Sequence, residues 1–194
     1  DLSGPAGQVR GAGALVILGP HYSARNLNFQ LRSLDVRALY RERVGTSLNG
    51  SVQGGIEVDT GRAPAGAFAV AFAASRVGGS PLDSAAAVLS TAEGVLRVDR
   101  LSAWAAGARL TMNGGLGIGA GHRDSLVVAA RFDSLTVLDS MLSGLVELPE
   151  DSARPPLSGA VVANGSVTGA LDDFRLAVRV TAPSLRWGSV VMAN

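Results

Sequence analysis

Cysteine and lysine are both absent from the 194 residues of this chain. Without cysteine there is no disulfide framework and no Cys-ligated metal site, an absence that fits an envelope compartment as well as a cytosol. Without lysine, all 17 basic residues are arginine, which reads as the bias of a GC-rich source genome rather than selection for function. Aromatic residues make up only 5% of the chain and histidines number two, so there is little material for imidazole-based chemistry. No apolar run reaches the roughly eighteen residues of a membrane-crossing helix. The 16 acidic residues leave a formal charge of +1, too small to set up a field that would draw nucleic acid or an anionic surface. The chain opens at Asp1 with neither a methionine nor a signal-like segment, in the middle of a strand-like pattern. It reads as an excised fragment, from which a targeting segment or anchor could have been lost upstream.

What is present is apolar, small and periodic. Apolar residues reach 47% and glycines number 25, a mixture suited to many short strands joined by tight turns. Period-two alternation is the strongest local signal. Phe174, Leu176, Val178 and Val180 alternate with Arg175, Arg179 and Thr181; Leu126, Val128, Ala130 and Phe132 alternate with Arg131 and Asp133. Leu27, Phe29 and Leu31 alternate with Asn28, Gln30 and Arg32, and Val52, Gly54, Ile56 and Val58 with Gln53, Glu57 and Asp59. Leu96 and Val98 face away from Arg97 and Asp99, while Leu110, Met112, Leu116 and Ile118 continue through Gly114. Phe68, Val70 and Phe72 sit among Ala67, Ala69, Ala71 and Ala73, apolar on both sides. About eleven half-buried antiparallel strands are expected.

Two segments break this rhythm. Leu34 to Val44 and Val137 to Val146 carry apolar residues at helical spacing and end at Gly45 and at Pro149, Pro155 and Pro156, so each is expected to form a short helix. The first overlaps Leu31-Arg-Ser-Leu-Asp-Val-Arg-Ala-Leu-Tyr40. That pattern returns about a hundred residues later as Phe132-Asp-Ser-Leu-Thr-Val-Leu-Asp-Ser-Met141. The copies are followed by Leu48-Asn-Gly and Leu157-Ser-Gly. A repeat of this kind marks an array in which neighbouring units bury one another. It divides the chain into a partial repeat over 1–47, a full repeat over 48–156 with a Pro-rich loop at 147–156, and the start of another over 157–194.

The chemistry-bearing motifs dissolve on inspection. Asn113 to Gly121 matches G-x-G-x-x-A, but a phosphate cradle needs a helix directly after it, and Leu126 to Phe132 is strand-like. It reads as a glycine-rich hairpin connection. His21 and His122 lack metal-ligand spacing and fall in loop-like contexts. Asp172-Asp173 and Glu150-Asp151 are neighbours on extended chain, pointing to opposite faces. No G-x-S-x-G elbow occurs. Trp104 and Trp187 read as packing residues. The Asn-Gly pairs at Asn49, Asn113 and Asn164 signal either hairpin turns or glycine kinks inside strands; the Asn-Gly-Ser acceptor match at two of them reads as coincidence. No enzyme, cofactor, metal or nucleic-acid partner is expected.

Eleven strands at about 4.8 Å spacing make a sheet some 50 Å long. Its face of Phe, Leu and Val has only two short helices to cover it, and bare apolar surface of that size needs a use. The sheet can fold over as a sandwich or barrel, coil as a β-helix, or curl into a trough. A trough keeps its apolar lining accessible and suits acyl chains, with Arg131, Asp133, Arg175 and Arg179 turned to water. The fold expected is all-β, mainly antiparallel: an elongated curled sheet forming an open groove, with one or two short helices. Its candidate lining residues are Phe68, Val70, Phe72, Leu126, Val128, Phe132, Leu176, Val178 and Val180.

The glycine-punctuated run Leu157-Ser-Gly-Ala-Val-Val-Ala-Asn-Gly-Ser-Val-Thr-Gly-Ala-Leu-Asp-Asp-Phe-Arg-Leu176 resembles the repeats of the AsmA-like superfamily, which includes TamB. Gly94 to Gly114 and the strand ending Phe132-Asp-Ser-Leu-Thr-Val-Leu are similar to other recurring units of that group. The resemblance touches most of the chain from Leu48 onward. It implies an elongated β-groove protein of the Gram-negative envelope, periplasmic and anchored in the inner membrane through segments absent from this chain. It implies phospholipid acyl chains as partners, carried between inner and outer membranes, and outer-membrane assembly proteins as a second class of partner. The rival function is that of a structural or adhesin-like surface protein, a β-helix or β-sandwich with no lipid role.

Overall fold

The computed structural model describes residues 1–38, 45–78, 80–118, 124–134, 157–187 and 190–193. Within them lie fourteen strands: β1 (Leu2–Gly4), β2 (Gly7–Leu18), β3 (His21–Leu34), β4 (Thr46–Asp59), β5 (Ala65–Phe72), β6 (Ser75–Val77), β7 (Ser80–Leu82), β8 (Ser84–Ala92), β9 (Val95–Ala105), β10 (Ala108–Gly117), β11 (Ser125–Phe132), β12 (Leu157–Gly169), β13 (Phe174–Trp187) and β14 (Val190–Ala193). They form one sheet in the order β1-β2-β3-β4-β5-β8-β9-β10-β11-β12-β13-β14, and every adjacent pair is antiparallel. Only β6 and β7 leave this meander, as a small hairpin against the start of β4. Among the described residues nothing pairs the β1–β2 edge with the β13–β14 edge, so the sheet stays open. This is the curled, open all-β sheet expected, without the parallel rungs of a β-helix or the facing second sheet of a sandwich. The strands beyond eleven are β1, β6 and β7, each three residues long and too short to display alternation.

The turns are not where the strongest turn signal lies. Glu93-Gly94 joins β8 to β9 and Ala106-Gly107 joins β9 to β10, all four with positive φ (52°, 76°, 45° and 86°). These are the two-residue turns whose twist matches that of the flanking strands. The three Asn-Gly pairs all sit inside strands, in β4, β10 and β12. Asn49 works as a strap there. Its Oδ1 accepts the Ser33 N–H at 2.9 Å, its Nδ2 donates to the Ala74 carbonyl at 2.8 Å, and its own N–H donates to the Ser75 hydroxyl at 2.9 Å.

Glycines that follow these and other strand positions let neighbouring backbones close up. A Cβ on Gly50 would run into the Ala71 carbonyl oxygen, one on Gly54 into that of Ala67, and one on Gly114 into that of Ser125. Gly114 also sits at φ +125°, which an L side chain rarely adopts. Glycine kinks of this sort, with bulges, are how a sheet acquires curvature. Bulges contribute. β3 gains one residue at Arg25–Asn26, with Asn26 at φ 53°, and another at Arg32–Ser33, with Ser33 at φ 49°; β9 gains one at Asp99–Arg100 and β13 one at Ala182–Pro183. At one end the curl is tight enough for Gly117 of β10 and Ala170, just past β12, to bridge beyond the start of β11.

The Leu34–Val44 segment contains a single 3-10 turn, Val36–Ala38, within the described residues. Asp35 organises it, taking the Arg37 guanidinium (2.7 Å) and the backbone N–H groups of Arg37 and Thr46 (3.1 and 3.2 Å). The Arg37 side-chain bonds, then the Thr46 N–H, hold its carboxyl down to about 2. The helix expected at 137–146, the loop at 147–156 and His122 lie outside the described residues.

The turns and kinks lead to two measurements. Ala106→Asn, which places a residue tolerant of positive φ in the β9–β10 turn, stabilises the protein by about 0.5–1 kcal/mol in denaturant unfolding. Gly114→Ala destabilises it by about 2 kcal/mol or more in the same assay.

Candidate functional site

Residues directly opposite one another in a ladder share a face of the sheet, so the register alone assembles the site. Phe68 lies opposite Gly54, which lies opposite Leu27; on its other side it meets Leu89, and Leu89 meets Val98. The row continues from Val98 through Gly114, Leu126 and Val167 to Leu176. One step along the strands, a second row runs Phe29, Val52, Val70, Ala87 and Leu101, then Met112, Val128, Gly165 and Val178. A third includes Leu31, Phe72, Leu110 and Val180, and Phe132 follows beside Ala108. All nine candidate lining residues therefore stand on one face, in apolar rows that cross nine strands without a polar member. At about 4.8 Å per strand each row is roughly 40 Å long.

This face is the inner one of the curl. Val98, Leu116 and Leu126, near its middle, are only 7%, 8% and 6% exposed although no second layer lies over them among the described residues. Toward both ends the same face opens. Leu15 and Ile17 of β2 are 70% and 59% exposed, and Leu176, Val178 and Val180 of β13 are 62%, 52% and 62% exposed. The β13 residues were expected to be half-buried; with no strand beyond Phe174–Pro183 of β13 among the described residues, they lack a same-face neighbour on that side. The chain's accessible surface, 12829 Å², compares with roughly 8,600 Å² for a compact protein of this mass.

The outer face carries the charge. Arg25 of β3 meets Glu57 of β4 at 2.6 Å, and His21 meets Asp59 across the same strand pair. His21 is thus the first residue of a strand with a carboxylate partner, not a loop residue as its sequence context suggested. Arg131 and Asp133 pair at 2.9 Å, and Arg131, Asp133, Arg175 and Arg179 are all exposed. Among the described residues no group of three or more His, Cys, Asp or Glu side chains could hold a metal ion, and no helix is long and apolar enough to cross a membrane.

The sequence-based list missed the glycines of the apolar face and its central members, Leu89, Leu101 and Met112. The glycines carry no apolar signal of their own; only their phase with Val52, Met112 or Val167 places them. Leu101 was hidden because the Asp99–Arg100 bulge shifts the parity of β9.

Comparison with protein-family models, curated proteins and solved structures finds no match to this chain.

An open apolar face binds a hydrophobic dye without unfolding. The native protein enhances anilinonaphthalene sulfonate fluorescence, and Leu176→Ser/Val178→Ser/Val180→Ser lowers that signal. Because these side chains are already exposed, each substitution shifts stability by less than about 0.5 kcal/mol.

Proposed function

We propose that this chain is a segment of a hydrophobic conduit that carries phospholipid acyl chains along the inner face of its curled sheet. The observation that carries the reading is the set of uninterrupted apolar rows, crossing nine strands and open to solvent at both ends. An extended tail laid along a row is removed from water at about 0.8 kcal/mol per methylene, and each row offers near-equivalent positions along its length. Transfer along such a path is passive: tails slide over Phe68, Val70, Phe72, Leu126, Val128 and Phe132 toward Leu176, Val178 and Val180, while headgroups stay at the open side. No step needs a nucleophile, a metal or a cofactor.

The resemblance to AsmA-like proteins supplies the setting of this proposal: the periplasm, between inner and outer membranes, with anchoring through other segments and a contribution to outer-membrane assembly as a second role. The rival is a structural surface protein that uses the same sheet without lipid.

Two measurements separate them. Native mass spectrometry of the purified protein finds bound phospholipid, and photo-crosslinking residues placed at Val128 or Val178 capture lipid in cells while those at Ala129 or Ala177, on the outer face, do not. Lipid-free protein together with no capture at either inner position overturns the conduit. Leu176→Arg, at an exposed position, reduces bound lipid while changing unfolding stability by less than about 0.5 kcal/mol.

A further inference from the structure

The overall charge of +1 conceals an uneven distribution on the outer face. Across β1–β4, cations meet carboxylates: Arg10 with Asp1, Arg25 with Glu57 and His21 with Asp59. Across β9–β11 no ion pair links one strand to the next among the described residues. The outer-face row Ser84, Trp104, Arg109, Arg131 and Val162 sets two arginines directly opposite each other with no carboxylate in the row. Like charges placed so are destabilising. Arg131 is relieved by Asp133. Arg109 has no ion pair among the described residues; its guanidinium lies over the Trp104 ring, 5.2 Å from the centroid, a contact that orients the group and leaves its charge in place.

Beside this pair lies a depression of about 480 Å³ between β9 and β10, with Arg100, Ser102, Trp104, Arg109, Thr111 and Asn113 in its lining. Arg100 enters it from the bulge in β9, the device by which sheets re-aim a side chain. Asp99, the other bulge residue, also lines the depression. The set is two guanidiniums, one carboxylate, hydroxyl and amide groups and a half-exposed indole, with Leu101 and Met112 at its base.

We propose that this depression binds a hydroxylated phosphate ester, with Arg100 and Arg109 on the phosphate. Planar guanidiniums suit phosphate oxygens. Asp99, Ser102 and Asn113 accept or donate hydrogen bonds to the polyol hydroxyls, and Trp104 covers the carbon skeleton. The carboxylate argues against a bare anion and for a ligand that brings hydroxyl donors. Such a group occurs on a soluble polyol phosphate and on a glycerol-headed phospholipid. The polar and charged side chains that would hold the ligand lie on the face opposite the apolar rows, so the site is testable apart from the conduit.

In a Trp187→Phe background Trp104 is the sole tryptophan, and its fluorescence reports the site. Titration with glycerol 3-phosphate gives a saturable change at lower concentration than inorganic phosphate does. Arg109→Gln and Arg100→Gln each weaken binding about tenfold, the loss of one charge-assisted contact, while Arg10→Gln, an exposed arginine elsewhere on the outer face, leaves it within about twofold. Val178→Arg, on the inner face, leaves it unchanged. Vesicles of phosphatidylglycerol in phosphatidylcholine, against phosphatidylcholine alone, distinguish the sources: a response to the mixed vesicles assigns the headgroup, and a response to the soluble ester alone assigns a soluble ligand. No saturable response to either overturns the site. Equal weakening by Arg10→Gln and Arg109→Gln overturns it as well, since it would reduce the effect to general charge.

Discussion

The backbone ladder carries this fold almost alone. Twelve strands lie edge to edge, each antiparallel to the next, and no helix layer or second sheet stands over them among the described residues. In most domains the apolar face of a sheet is removed from water by another element. Among the described residues no such element covers it, and the sheet curls instead. Everything distinctive about the molecule follows from that: few fully buried apolar side chains, a large accessible surface, and a continuous apolar lining that deepens in the middle and opens at both ends.

Curvature in turn depends on residues with little or no side chain. Gly50, Gly54 and Gly114 lie on the apolar face, where a Cβ would meet the carbonyl of the next strand. Their glycine identity keeps the inner surface both close-packed in its backbone and free of obstructing polar groups. The bulges at Asn26 and Asp99–Arg100 add bend and local twist. One of them also sets Arg100 on the outer face, in the depression that Arg109 lines too, so the same device that bends the sheet helps to form that depression. The two faces thus differ: apolar rows on one, and on the other ion pairs and Arg109, which has no ion pair among the described residues.

Much of this was legible in the sequence, and the limits have physical causes. Alternation in β5, β11 and β13 sorts their apolar residues onto one face, because these strands run in unbroken register over Phe68–Phe72, Leu126–Phe132 and Phe174–Val180. In β9 a single extra residue reverses the parity after Val98, and nothing in the sequence announces it. Asn-Gly pointed to turns as well as to kinks, and the sheet uses it for kinks; the tight turns fall to Glu93-Gly94 and Ala106-Gly107, whose non-glycine members are poor αL residues held there by the strands on either side. The contrast between buried Leu126 and exposed Leu176, on one row, was hidden because burial depends on which strands flank a residue and how far the sheet has curled there. The pairing of charges was equally hidden, since it depends on register between strands far apart in sequence.

The central claim is that one face of this sheet, and not the other, takes up acyl chains. Val127 and Val128 are adjacent, chemically identical and on opposite faces; Val88 and Val178 offer a second such contrast. The most direct test is nuclear magnetic resonance of valine-methyl-labelled protein titrated with a phospholipid carrying a nitroxide on its acyl chain. The account predicts selective broadening of Val128 and Val178 methyl signals, with Val127 and Val88 unaffected at the same lipid concentration. Equal broadening on both faces, or none on either, would contradict it.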